Sequence, residues 1–200
     1  LNCQHMTPLN RYKVLADKLY KERGEAFKVN INGEEPVSVN FNDISAEGAN
    51  TSFQVHLMVN KNQFVSVFNA AQLTMPLVTA ISANSGIFLG HRLWDETRIS
   101  LFKQSLDIRQ RDNMKWQQPT RVNFGLGWVR NTPWEIFAEA VALYPPLIPQ
   151  LSLQSESIRK DPLAELNLHM GTIWSWNRPV ISTEGNGHVR IEFRAIPAGP

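Results

Sequence analysis

Residues 188–195 alternate without a break: Val189, Ile191, Phe193 and Ala195 lie on one side of an extended chain, and His188, Arg190, Glu192 and Arg194 on the other. A helix would scatter these two sets around its axis, because a period of two does not fit 3.6 residues per turn. The segment is therefore a strand with one apolar and one charged face. Residues 52–59 repeat the pattern, with Phe53, Val55, Leu57 and Val59 facing one way and Ser52, Gln54, His56 and Met58 the other. A second feature fixes the neighbour of the last strand: Gly185-Asn186-Gly187 turns 179–183 back into 188–195, and 172–176 reads as a further strand.

The rest of the chain alternates between strand and helix signals. Residues 27–31 and 37–41 each alternate around Asn32-Gly33 and predict a loose hairpin. Thr7-Pro8 places a capping residue before a proline at the first helical position. Leu9, Tyr12, Leu15, Ala16 and Leu19 then recur at helical spacing up to Gly24, predicting a helix over 8–23. Asn60 is expected to cap a helix reaching about 83, apolar on most sides and kinked at Pro76. Further helices are predicted over 97–108 and, after Thr132-Pro133, over 134–143, where Pro145-Pro146 stops the chain. The stretches 42–50, 109–120 and 147–163 read as loop or linker, and 122–129, interrupted by Gly125 and Gly127, as a broken strand. With no internal repeat or low-complexity tract, this is one α+β unit with a mostly antiparallel sheet.

Composition removes several classes. Two hundred residues, 42% hydrophobic and 19% charged, make an ordinary soluble globular domain rather than a disordered chain or a multidomain machine. Lys and Arg number 20 against 18 Asp and Glu, so no basic surface speaks for nucleic acid. The most apolar stretch, 64–81, is interrupted by Ser66, Asn69, Gln72, Thr74 and Pro76; it reads as a buried helix and not as a membrane span. Cys3 is the single cysteine, which excludes an internal disulfide, and no Cys and His residues stand at zinc spacing; a reducing, cytoplasmic setting is expected. The chain opens at Leu1 and stops at Pro200 directly after a patterned strand, so a piece of a longer protein is expected.

Two readings of the charged face stay open on the residues alone. Glu192 and its flanking arginines are either cross-strand pairs on a solvated face, or a polyanion and metal site in which Glu192 ligates magnesium and Arg190 or Arg194 grips phosphate oxygens. His56 is either a surface residue or a ligand, with Gln54 beside it on the same face. Asp95-Glu96 at a helix start favours the helix dipole, and Arg98 either joins that start or points toward a carboxylate or phosphate. Trp174 and Trp176 read as packing, while Arg178 is open between a packed stem and a substrate wall. No phosphate-binding glycine loop and no Gly-x-Ser-x-Gly nucleophile motif is present.

Longer words in the chain carry a resemblance. Met6-Thr7-Pro8-Leu9-Asn10-Arg11-Tyr12, Thr51-Ser52-Phe53-Gln54-Val55-His56-Leu57, and Ala83-Asn84-Ser85 with Leu93-Trp94-Asp95-Glu96-Thr97-Arg98 resemble the bacterial glutamate-cysteine ligase type 2 family, the carboxylate-amine ligases. So, above all, do Gly171-Thr172-Ile173-Trp174-Ser175-Trp176-Asn177-Arg178-Pro179 and residues 188–200. Ser175 and Gly86 depart from the family's usual arginine and proline.

The resemblance implies a glutamine synthetase-like fold: a curved, largely antiparallel sheet with helices on one face, whose polar concave face holds ATP and divalent metal. It implies a γ-glutamyl ligase in which ATP phosphorylates glutamate and an amine such as cysteine attacks the acyl phosphate. Glu192 and His56 then match metal ligands. Arg194 matches a catalytic, phosphate-contacting arginine, Arg98 a second catalytic candidate, and Gln54, His56, Arg194 and Arg178 a nucleotide-binding set. The family's upstream Glu-x-Glu strand has no counterpart in residues 1–200. The expectation is thus a single partial catalytic domain over 1–200, truncated at both ends and inactive alone, with small-molecule substrates, no nucleic acid or membrane partner, and oligomerisation possible. The alternatives are a non-catalytic binding or assembly module with an open sheet edge, or a ligase using another amine.

Overall fold

A computed structural model describes residues 7–109, 118–149 and 161–199. Helix α1, Asn10–Arg23, ends where Gly24 adopts the left-handed conformation at φ 71° and returns its N–H to the Tyr20 carbonyl. Its start differs from expectation. Leu9 occupies the cap position, and Thr7-Pro8 stay outside, joined to it by a turn in which the Leu9 N–H donates to the Thr7 carbonyl. Strands β1, Phe27–Ile31, and β2, Val37–Phe41, form the predicted hairpin with Phe27 opposite Phe41 and Ile31 opposite Val37. Gly33 in its loop is a place where only glycine fits, since a Cβ would lie 2.4 Å from the Leu93 Cα. The stretch expected as loop over 42–50 contains a 3₁₀ turn, Ser45–Ala49.

Strand β3, Val55–Val59, is followed by α2, Phe64–Ile81, which runs through Pro76. A small hairpin that carried no clear strand period, β4 Ile87–Phe88 and β5 His91–Arg92, turns at Leu89 and Gly90, both at positive φ. Helix α3 is Thr97–Ser105. The broken strand expected over 122–129 reduces to β6, Val122–Asn123, and α4 occupies Trp134–Leu143 as predicted. Helix α5, Ala164–Met170, was not anticipated. It precedes β7, Trp174–Ser175, β8, Asn177–Ser182, and β9, His188–Phe193. Most of the loop read over 109–120 and of the linker read over 147–163 lies outside the described residues.

The α+β class stands, but the strands of the described residues form four small sheets and not one. β3-β9-β8 is antiparallel with β9 in the centre, β1-β2 and β4-β5 are antiparallel pairs, and β6-β7 is a parallel pair. The division falls at Trp176, which separates β7 from β8: its N–H donates to Asn123 in the β6 direction, while its carbonyl accepts from Arg194 beyond the end of β9.

The apolar side of β3 is largely open: Val59 is its only buried residue, and Val55 and Leu57 remain exposed, the strand lying at the edge with the apolar cluster at its far end. One expectation about burial is corrected. Helix α2 was expected to be buried. Phe64, Phe68, Ala71, Met75 and Thr79 do face the interior, but Leu73, Leu77 and Ile81 on the opposite side are 63%, 70% and 88% exposed. By length and composition α2 is the one helix among the described residues that could cross a membrane.

Candidate anion-binding site on the polar sheet face

Register decides which side chains meet. β3 pairs with β9 so that His56 faces Glu192, and β8 pairs with β9 so that Arg178 faces the same Glu192; the three stand in one row across the sheet. The opposite face of β9 is held down by Val189 and Ile191 against Val59, Phe64 and Phe68. That packing fixes the strand's orientation and, by alternation, turns the polar set outward together.

Glu192 is 4% exposed. Arg178 donates to its Oε2 from Nε at 2.7 Å, and its Nη2 lies 2.7 Å from the same oxygen in an ion pair. The other oxygen, Oε1, lies 3.7 Å from His56 Nε2 and 3.9 Å from Arg194 Nε. Arg190 donates from Nε to His56 Nδ1 at 3.1 Å and from Nη1 to His188 Nε2 at 3.0 Å. A guanidinium can only donate, so Nδ1 of His56 is the acceptor and its ring proton sits on Nε2, toward Glu192.

Arg194 is the least satisfied member. Its Nε and Nη1 are buried with no hydrogen-bond partner among the described residues. Burial, and then repulsion from Arg178, lower its pKa to about 10 against the attraction of Glu192 and Glu47. Two guanidinium groups, those of Arg178 and Arg194, flank one carboxylate, and a third, that of Arg190, holds the imidazole of His56 next to it, so cations outnumber the carboxylate in a partly desolvated setting, where charge-assisted hydrogen bonds to an anion are strong. A cavity of about 370 Å³ opens beside the row, with Arg178, Arg190, Ser182 and Thr183 among its walls and the carboxylates of Asp161 and Glu184 at others. The arrangement suits phosphate or carboxylate oxygens.

It does not suit magnesium. Among the described residues no group of three His, Cys, Asp or Glu side chains is placed to hold a metal. The Glu192 carboxylate is occupied by Arg178, and His56 directs an N–H at it. Magnesium favours six oxygen ligands, and a single arginine-bound carboxylate falls far short of that.

The other candidates are placed elsewhere. Arg98, 4% exposed, is a clamp: Nη1 donates to the Thr51 carbonyl at 3.1 Å, Nη2 to the Ala195 carbonyl at 2.7 Å, and Nε lies 2.8 Å from Glu96 Oε1. It ties the start of α3 to the chain entering β3 and leaving β9. Gln54 lies just before β3, exposed, its Nε2 3.5 Å from Ser52 Oγ. Sequence reading missed Arg121, a second buried clamp that donates to Thr172 and to the Pro145 carbonyl beneath the Tyr144 ring, and whose pKa burial lowers to about 10. It missed Glu47 too, which with Asp43 lies in a stretch without periodicity and so offers no sequence signal.

The family model for glutamate-cysteine ligase family 2 matches residues 3–124, more than half of the chain, and the chain belongs to that family. Gln54, His56 and Arg98 lie inside the matched stretch; Arg178, Arg190, Glu192 and Arg194 lie beyond it. No curated protein and no solved structure matches the chain.

Proposed function

We propose that these 200 residues are part of the catalytic domain of an ATP-dependent carboxylate-amine ligase, contributing the cationic wall that holds phosphoryl and carboxylate oxygens. Membership of the family supports the ligase class. The observation that carries the site is the placing of Arg178 and Arg194 at the single carboxylate of Glu192, with Arg190 on the neighbouring His56. In a reaction that passes through γ-glutamyl phosphate, negative charge moves from ATP to the acyl phosphate and then to free phosphate. Fixed guanidinium groups aimed at that path stabilise it without reorganising. Arg178 is oriented by Glu192, and Arg190 by His56 and His188. Arg194, short of partners, is the group with most to gain from an anion.

Magnesium, which the family implies, would need carboxylates other than those described, so residues 1–200 alone are proposed to be inactive while a longer parent chain is active. Glutamate- and cysteine-dependent ADP release, measured on both lengths, tests this; turnover by the short form contradicts it. A second reading, a non-catalytic assembly module, is favoured by the exposed apolar residues on the edge strand β3 and on the outer side of α2. Retention of ATP-dependent turnover by the parent chain removes it.

A further inference from the structure

Helix α2 carries no Asp, Glu, Lys or Arg anywhere between Phe64 and Ile81. Its inner side is used: Phe64 and Phe68 pack in one cluster with Val189 and Ile191, and Met75 belongs to the core of Trp174 and Trp176. Its outer side is a stripe of Ser66, Ala70, Leu73, Thr74, Leu77 and Ile81, all exposed. At 3.6 residues per turn these six fall within roughly 100° of the helix circumference, the width of a face made to pack. A solvated helix face normally carries charge, and this one has none.

The two hydroxyls of the stripe already have local partners. Ser66 Oγ donates to the Gln63 carbonyl at 2.9 Å, and Thr74 Oγ1 to the Ala70 carbonyl at 3.0 Å. Covering the stripe therefore strands neither of them. Side-chain size also runs along the stripe in one direction, from Ser66 and Ala70 at the start to Leu77 and Ile81 at the end. A second α2, antiparallel about a two-fold axis between Leu73 and Thr74, sets Ser66 against Ile81, Ala70 against Leu77 and Leu73 against Thr74. Each large side chain then meets a small one, as close packing requires. A parallel copy would set Ile81 on Ile81 and leave a gap between the two serines.

We propose that the outer face of α2 is a dimer interface, and that its occupant is α2 of a second copy of this chain in that antiparallel register. The stripe is complementary to itself in size, and with no charge to match it selects no charged partner. A membrane is the other class of surface that an uncharged helix admits. Helices that lie on membranes line their polar face with Lys and Arg, whereas the other side of α2 is apolar and packed in the core. With 18 residues the helix is about 27 Å long and about 10 Å wide, so the contact covers roughly 300 Å² per copy, against about 800 Å² for a stable interface of standard size. The pairing is thus of the weak kind, monomeric at low micromolar concentration and dimeric toward several hundred micromolar. It does not rest on the ligase reading, and holds for a catalytic or a non-catalytic chain.

Sedimentation equilibrium of the 200-residue chain, from about 5 μM to about 500 μM, tests the association. A monomer–dimer equilibrium is expected, weakened at least about tenfold in Leu77→Gln with the circular dichroism unchanged. Oxidative cross-linking with copper phenanthroline, in a Cys3→Ser background, tests the register. An equimolar mixture of Ser66→Cys and Ile81→Cys chains is expected to link as a heterodimer, and Ser66→Cys by itself is not. A chain that stays monomeric across the range overturns the proposal, as does a dimer that Leu77→Gln leaves unchanged. Ser66→Cys linking to itself as readily as to Ile81→Cys overturns the register and with it the argument from size. Flotation with phosphatidylcholine vesicles, without self-association, gives the face to a membrane and overturns the proposal too.

Discussion

Arg178 holds one oxygen of Glu192 with a hydrogen bond from Nε and an ion-pair contact from Nη2, both at 2.7 Å, leaving the second oxygen to His56 and Arg194 at longer range. The carboxylate sits in the central strand with almost no solvent, so its charge is tolerated only because the guanidinium is there. Glu192 thus orients cations and does not stand free for a metal.

Removing one partner of this pair strands the other. Arg178→Met is expected to destabilise the fold by about 3 kcal/mol, and Arg178→Met with Glu192→Met to recover much of that loss, as for other buried ion pairs replaced by apolar residues. Urea denaturation of both single variants and the double variant measures the coupling; additive losses would contradict it.

Arg98 is expected to behave as a clamp. Arg98→Met loses charge-assisted bonds to two carbonyls and a contact with Glu96, with a cost of roughly 3 kcal/mol, and Arg98→Lys recovers only part because an ammonium cannot span the three acceptors. Thermal unfolding checks the order: unaltered chain above lysine above methionine.

Helix α2 has two sides with different energetics. Met75→Ala on the inner side is expected to cost about 2–4 kcal/mol, and Leu77→Gln on the outer side less than about 0.5 kcal/mol, provided no partner covers that face. A large loss from Leu77→Gln in denaturation would show that the outer face is covered in solution.

Two glutamates should give opposite pH limbs. Burial raises the Glu47 pKa, so the folded state holds its proton more tightly than the unfolded state; its contribution is full below the unfolded value of about 4.5 and is lost as pH rises through the raised value. Glu135 accepts from the backbone N–H groups of Arg130, Asn131 and Thr132, which lowers its pKa; its contribution is present above about 4.5 and is lost as pH falls. In denaturation, Glu47→Gln should remove a fall in stability as pH rises above about 4.5, and Glu135→Gln should remove a gain as pH rises toward about 4.5 from below.

What the sequence made legible was periodic. The alternation in 188–195 and 52–59 identified the polar set, and register then aligned His56, Glu192 and Arg178, a relation that alternation suggests but cannot align. Helix α4 was readable from Thr132-Pro133 and Pro145-Pro146 because local chemistry sets both its ends. Burial was not readable, since it depends on which strand lies at an edge: β3 and α2 carry apolar residues that the described fold leaves in contact with solvent. Glu47 and Arg121 matter through tertiary neighbours far along the chain, and no local pattern marks them.

The central claim is that the polar face of β3-β9-β8 is an anion receptor. Calorimetric titration of the 200-residue chain with tripolyphosphate, without added metal, tests it most directly. The account predicts saturable binding that weakens at least about tenfold in Arg190→Gln with the far-ultraviolet circular dichroism unchanged, the loss expected for one charge-assisted contact. No binding, or binding that Arg190→Gln leaves untouched, would contradict it.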